Sequence, residues 1–290
     1  MLVIIPVSAS DASLITPFSK AVRHFGKNSR HRALVVARPS DSEHADRLVS
    51  ELGDSFDGIT THIFPQDGPT GWPKGPNFYW ASTVHYLQHA VKNQEQWLWL
   101  ELDSTPLRAG WVDAISTEYN LTNPPFLGVV EKTHAVDAEG NPVDAGKHLV
   151  GVAVYPPSVS AFSNLWPYVS QMPTPFDVVC QWEFVPNTHV TELIQHCFRT
   201  KNYAAQANGE IRGEDHNNFP NGVRFDRPLS PSAVLHHGCD DGSLAELILG
   251  GLPPVKSDAP PAAPAAKPDV NADLLFPTKK RAVRLEAASA

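Results

Sequence analysis

The chain has 290 residues, 42% of them hydrophobic, which is enough apolar material for one large domain that folds without disulfide or metal staples. Its 31 acidic and 23 basic residues give a formal net charge of −8, so it has no overall attraction for nucleic-acid backbones or anionic lipid. Three widely spaced cysteines without a C-x-x-C pair argue against a disulfide framework or a zinc ribbon. The apolar N-terminus lacks a basic leader, so we expect a cytoplasmic protein with neither signal peptide nor membrane span.

The N-terminal third alternates short apolar runs with amphipathic stretches. Strands are predicted at residues 2–7, 33–37 and 60–64, and helices at residues 14–25 and 42–52. This βαβαβ order predicts an α/β fold with a Rossmann-like, mostly parallel central sheet and helices on both faces.

The later elements are less regular. A helix is predicted at residues 80–91, strands at 97–102, 126–130 and 148–155 with a turn-rich hairpin segment between the last two, a helix at 190–203, and a long functional loop at 208–231.

The composition changes near residue 252. The segment that follows is rich in proline and alanine, has no apolar periodicity, and ends in a short apolar and basic stretch. We therefore predict a folded domain over residues 1–251 and a disordered, flexible C-terminal tail over residues 252–290.

Two acids follow the apolar run Trp97–Leu100. Glu101 and Asp103 are separated by one residue, so on a strand both carboxylates would point the same way and could share a divalent cation. The alternative is a strand end that becomes polar on reaching solvent. Because the acids follow a run that must be buried, metal binding is the favoured interpretation.

The segment Gly71–Asn77 lies between a predicted strand and a predicted helix. Its two glycines, two prolines and Trp72 make a shaped loop with exposed amides, suited to a flat or anionic ligand. Lys74 offers a positive charge there. The alternative is a tight loop in which Asn77 caps the next helix.

Two later segments add candidate residues. His237, followed by Gly238, could complete a metal site begun by distant carboxylates, although isolated histidines more often serve as hydrogen-bonding residues. Asp177 and Glu183 are acids among aromatic residues and are candidates for a general base or for hydrogen bonds to sugar hydroxyls. The alternative for Asp177 is a helix cap, and the alternative for Glu183 is a solvent-facing acid.

The chain has no G-x-G-x-x-G, Walker A, G-x-S-x-G or H-E-x-x-H motif.

Taken in order, these motifs resemble those of GT-A-type nucleotide-sugar glycosyltransferases, in particular divergent members encoded by bacteriophages. The strand IIPVSASD resembles the first donor-binding strand of that fold, GWPKGPN resembles a donor-side loop, and Glu101-Leu102-Asp103 stands at the D-x-D metal motif. His237-Gly238 resembles the His-Gly element that completes the metal site in several retaining members.

The resemblance implies a GT-A-like fold, a nucleoside-diphosphate sugar as donor, and manganese or magnesium as the divalent metal. Asp103 and His237 would hold the ion with help from Glu101, and Asp177 or Glu183 would act on the acceptor. The donor-binding residues implied by the resemblance are Pro6, Val7, Ser8, Trp72, Lys74, Gly75, Asn77 and Gly238.

The sequence departs from the family pattern at two positions. Glu101 replaces the first aspartate, and Asp240 lies where these enzymes carry a lysine for the diphosphate. Lys74, Arg212 or Arg224 could supply the missing positive charge.

Two other functions remain open. They are a non-catalytic sugar-binding or nucleotide-binding module on the same fold, and a metal-dependent phosphohydrolase or nucleotidyltransferase. The acceptor of a transferase could be a modified DNA base, a protein or a glycan, and a phage enzyme would work in the host cytoplasm.

Overall fold

The structure is a computed structural model, and it describes residues 1–136, 142–215 and 226–250. Arg224 and the predicted tail at 252–290 lie outside the described residues, so the domain boundary stays a prediction. The strands are β1 Leu2–Pro6, β2 Asn28–Ala37, β3 Phe56–Ile63, β4 Trp97–Trp99, β5 Ser104–Pro106, β6 Phe126–Val136, β7 Pro142–Tyr155, β8 Thr188–Val190, β9 Ile194–Ala205, β10 Ile211–Asp215, β11 Asp226–Pro228 and β12 Leu235–Cys239. The helices are α1 Ile15–His24, α2 Ser42–Leu52, α3 Lys74–His85, α4 Trp111–Thr122, α5 Phe176–Val179, α6 Gln181–Phe184 and α7 Ser243–Leu249.

A seven-stranded sheet with the order β3-β2-β1-β4-β7-β6-β8 forms the centre. Strands β1 to β4 pair in parallel, and only β7 runs against its neighbours β4 and β6. The predicted mixed α/β fold with a mostly parallel central sheet is therefore confirmed.

Both faces of this sheet are covered. Along β1, Val3 and Ile5 pack with the apolar faces of α1, α2 and α4, whereas Leu2 and Ile4 pack with α3 and α5 on the other side. This two-sided burial explains why β1 is apolar at consecutive positions. The prediction of helices on both faces is correct.

A second sheet of five strands, in the order β11-β10-β9-β12-β5, was not predicted. The helix predicted at 190–203 is wrong, because most of that segment is β9, and β10 and β11 lie within the predicted long loop. Arg199 and Asn202 have φ values of 56° and 53°, which interrupt the two-residue alternation of β9. The sequence therefore lacked the regular strand pattern on which such a prediction depends.

The strand predicted at 97–102 is shorter than expected. Strand β4 ends at Trp99, a turn follows in which the Ser104 amide donates to Glu101 O at 3.0 Å, and β5 then joins the second sheet. Glu101 and Asp103 therefore flank a turn between two sheets and do not share one face of a continuous strand.

Candidate metal centre

The carboxyl ends of β1, β2 and β4 meet at one edge of the central sheet, because these strands are parallel neighbours. Pro6 ends β1, Ala37 ends β2 and Trp99 ends β4. The segment after β4 carries the predicted acids Glu101 and Asp103, and the segment after β1 carries two of the predicted donor-binding residues. This edge is where open α/β sheets bind their ligands.

Three side chains converge there. His237 Nε2 lies 3.3 Å from Glu101 Oε2 and 3.4 Å from Asp103 Oδ1, and one ligand atom from each residue fits within 4.8 Å of the others. Asp103 Oδ1 is buried and accepts no hydrogen bond from any residue that the structure describes. A buried carboxylate oxygen beside a second carboxylate and an imidazole fits a divalent cation such as Mn²⁺.

Strand pairing creates this convergence. β12 pairs with β5 so that His237 lies opposite Ser104, and the amides of Gly238 and Cys239 both donate to Asp103 O, at 3.2 and 3.0 Å. Gly238 has φ of 101°, a conformation that other residues rarely adopt. Its predicted role beside a diphosphate stays a prediction, and here its amide joins β12 to the turn.

Burial and charge act against each other in the cluster. Burial alone would lower the pKa of His237, but the charge of Asp103 and the hydrogen bond to Glu101 raise it to about 9. Burial, with the negative charges of Glu101, Asp240 and Asp11, raises the pKa of Asp103 to about 7 despite His237. Such a concentration of acids around one imidazole is suited to hold a cation.

Glu101 is held by neighbours on two strands. Trp99 Nε1 donates to Glu101 Oε1 at 3.0 Å. Gly151 on β7 provides the space beside it, because an added Cβ there would lie 3.2 Å from Glu101 Oε1 and 3.3 Å from Phe176 Cζ. Burial would raise the pKa of Glu101, but the hydrogen bond and charge of His237 outweigh this and lower it.

Gly151→Ala should therefore displace Glu101 and weaken Mn²⁺ binding by about tenfold, the scale typical of altered support for a metal ligand. Titration of the protein with Mn²⁺ by isothermal calorimetry measures this. Gly58→Ala is the matched control, because a Cβ added at Gly58 on β3 meets no atom of the described residues within 4 Å. Equal Mn²⁺ affinity in the two variants would show that Gly151 has no part in the centre.

The structure places the two candidate catalytic acids differently. Asp177 is the second residue of α5, after Phe176, and its Oδ2 lies 3.8 Å from His148 Nε2. Burial and then the nearby Glu101 charge raise the pKa of Asp177 to about 7. Asp177 therefore borders the metal cluster. Glu183 Oε1 instead accepts from the Asn164 amide at 3.1 Å, which puts it against another loop.

The predicted donor residues after β1 lie in a rigid loop. Tyr79 OH is 2.7 Å from both Val7 O and Asp41 Oδ2, and Asp41 Oδ1 accepts from the Ala9 amide. Ser8 Oγ donates to Asp11 Oδ2 at 2.6 Å. Burial and the Glu101 charge raise the pKa of Asp11, so this loop lies within electrostatic reach of the cluster.

The predicted loop Gly71–Asn77 is only partly a loop, because its last four residues are helical, and its last residue is not a cap. α3 begins at Lys74, so Asn77 lies inside the helix, and its Nδ2 donates to the carbonyl oxygens of Val169, Met172 and Thr174. Trp72 is 68% exposed. Lys74 is exposed and Gly75 is buried, and the donor-binding roles of all four residues stay predictions.

Positive charge near Asp240 comes from residues that the sequence did not indicate. Lys201 and Arg199 on β9 are close enough to Asp240 to lower its pKa, although burial raises it overall. Arg212 pairs with Glu210 at 2.9 Å. The sequence carried no signal for Arg199 or Lys201, because their position depends on the pairing of β9 with β12.

Comparisons with known proteins show only that the fold of this chain is similar to that of some solved structures. No protein-family model matches the chain, and no curated protein matches it. Similar solved structures include the galactosyltransferase LgtC with donor and acceptor sugar analogues, at 10% identity and TM-score 0.44 over 82% of this chain and 87% of that one. Mouse xyloside xylosyltransferase 1 is similar at 10% identity and TM-score 0.42, over 69% of this chain and 86% of that one.

A third similar structure is 4-diphosphocytidyl-2C-methyl-D-erythritol synthase from Anaerococcus prevotii DSM 20548, at 11% identity and TM-score 0.41, over 66% of this chain and 87% of that chain. At such identities and TM-scores these likenesses do not decide the activity of the present chain. Among the residues that the structure describes, no helix is both long and apolar enough to cross a membrane.

Proposed function

We propose that this chain is a metal-dependent glycosyltransferase that moves a sugar from a nucleoside-diphosphate sugar to an acceptor hydroxyl. The observation that supports it most directly is the Glu101, Asp103 and His237 cluster at the carboxyl edge of a mostly parallel sheet. The order of the motifs along the chain, which resembles that of GT-A glycosyltransferases, supports the same class.

In this proposal Asp103 and His237 hold the cation and Glu101 assists, with Mn²⁺ or Mg²⁺ as the ion. When bound, the ion would neutralise charge on the departing nucleoside diphosphate. The loop around Pro6, Val7 and Ser8 would bind the donor.

On the donor side, the segment Trp72–Asn77 and Gly238 would complete the site. Arg199 and Lys201 offer positive charge for the diphosphate that Asp240 would otherwise repel.

Asp177 is the preferred residue for the acceptor side, because it borders the cluster, whereas Glu183 contacts the Asn164 loop. A carboxyl group whose pKa is about 7 can both accept and donate a hydrogen bond near neutral pH, so it can orient a sugar hydroxyl and exchange its proton. The acceptor stays open among a modified DNA base, a protein and a glycan. A bacteriophage origin and a cytoplasmic location stay predictions of the sequence.

A panel of uridine, guanosine, cytidine and adenosine diphosphate sugars tests the proposal. Thermal unfolding is measured with each donor in Mn²⁺ and in EDTA, since a bound donor raises the unfolding temperature by mass action. We expect one donor class to stabilise the protein only with Mn²⁺, and acceptors to increase nucleoside diphosphate release. Stabilisation without turnover on any acceptor would favour the binding module, and release of phosphate or pyrophosphate would favour the phosphohydrolase or nucleotidyltransferase.

Metal affinity should rise with pH. In the metal-free protein the pKa of Asp103 is about 7 and that of His237 about 9, both above their ordinary values, so protons must leave before the ion binds. Each displaced proton strengthens binding about tenfold per pH unit, so we expect at least that gain from pH 6 to pH 7 and again to pH 8. Mn²⁺ titrations at the three pH values measure this, and a constant affinity would contradict it.

A further inference from the structure

A second histidine lies directly behind the metal cluster. His196 on β9 is the parallel partner of His237 on β12, and the Nδ1 atoms of the two rings are 2.9 Å apart. Their ring planes are inclined by 39° with centroids 4.7 Å apart, so the contact is an edge hydrogen bond and not a stack. No motif in the sequence distinguishes His196.

The hydrogen-bond chemistry of imidazole restricts this pair. Two ring nitrogens at hydrogen-bond distance share one proton, so one is the donor and the other the acceptor. His237 Nε2 is the atom that faces Glu101 and Asp103. For Nε2 to offer its lone pair to a cation, a neutral His237 must carry its proton on Nδ1. His196 Nδ1 must then be the acceptor.

We propose that His196 is a positioning residue of the metal centre: it accepts the Nδ1 proton of His237, selects the tautomer that binds through Nε2, and fixes the ring toward the two acids. The inference rests on the proposed metal centre. Metal-binding histidines usually donate their second N–H to a neighbouring group, and loss of that partner typically costs 10–100-fold in affinity.

A neutral acceptor also suits the charge of this site. The Asp103 carboxyl already lies within electrostatic reach of Glu101, Asp240 and Asp11. A carboxylate at position 196 would add another negative charge to this group, whereas an imidazole accepts the same hydrogen bond without one.

Two substitutions separate hydrogen bonding from shape. His196→Asn keeps an acceptor near the Nδ1 position, because the asparagine Oδ1 lies at the same distance from the backbone, whereas His196→Leu keeps bulk and removes the acceptor. We expect His196→Leu to bind Mn²⁺ 10–100-fold more weakly than wild type and His196→Asn to stay within about threefold. His31→Leu is the matched control, because His31 is a second ring-bonded histidine outside the cluster, with its Nε2 2.8 Å from Asp113 Oδ1.

Mn²⁺ affinity is measured by electron paramagnetic resonance of the free ion, and thermal unfolding in EDTA reports the fold. Wild-type affinity in His196→Leu, or equal losses in His196→Leu and His196→Asn, would overturn the inference. If wild type itself fails to bind Mn²⁺, the proposed metal centre fails with it, and that outcome is distinct from either variant result.

Nuclear magnetic resonance of wild-type protein gives a test that needs no variant. With diamagnetic Mg²⁺ bound, imidazole ¹⁵N shifts show which ring nitrogen carries each proton. We expect the proton of His237 on Nδ1 and that of His196 on Nε2. The opposite arrangement in either ring would overturn the inference even if a variant failed to fold.

Discussion

Asp103→Asn should reduce Mn²⁺ affinity by at least about a hundredfold and remove Mn²⁺-dependent binding of nucleotide sugars, because it replaces a charged metal ligand with a neutral amide of the same shape. The metal-free variant should be as stable as wild type at pH 8, or more stable. The reason is that the fold disfavours the Asp103 charge, as its raised pKa indicates, so the neutral amide removes first the cost of burying that charge and then its repulsion from the neighbouring acids.

Calorimetric titration with Mn²⁺ and thermal unfolding in EDTA measure the two parts of this result. Asp113→Asn is the matched control, because Asp113 is ion-paired with Arg30 and His31, which pull its pKa below the ordinary value. That variant should keep its Mn²⁺ affinity. Undiminished Mn²⁺ binding in Asp103→Asn would rule out the proposed metal centre.

Alanine substitutions of the neighbouring residues His236 and His237 should affect different properties, namely the stability of the fold and the affinity for Mn²⁺. His237→Ala should weaken Mn²⁺ binding by about a hundredfold, because it removes the only imidazole that faces Glu101 and Asp103 among the described residues. His236 lies on the other side of β12, fully buried, with Nε2 2.6 Å from Tyr203 OH. His236→Ala should leave Mn²⁺ affinity within about threefold and lower the free energy of unfolding by about 2–4 kcal/mol.

Urea unfolding in EDTA measures the free energy of unfolding of each variant. Mn²⁺ titration under conditions in which both variants are folded measures their metal affinity. A larger loss of Mn²⁺ affinity in His236→Ala than in His237→Ala would mean that the metal ligand has been assigned to the wrong histidine. An unchanged unfolding free energy in His236→Ala would contradict the packing role of its contact with Tyr203.

The local sequence pattern identified some residues of the candidate metal centre but not the way in which they come together. Glu101 and Asp103 could be selected from the sequence because two acids directly follow a run that had to be buried. Their convergence comes from a turn between two sheets, and not from the strand alternation used to predict it. His237, 136 residues after Glu101, could be joined to them only through a resemblance of motifs.

The sequence by itself determined the central sheet, since burial on both faces makes β1 and β4 apolar at consecutive positions, and that pattern is local. Only the tertiary structure decided the second sheet, in which Arg199 and Asn202 break the alternation of β9. The support of the site by Gly151 and His196 was likewise decided there. These contacts join segments far apart in the chain, and pairing between distant strands leaves no mark in the spacing of neighbouring residues.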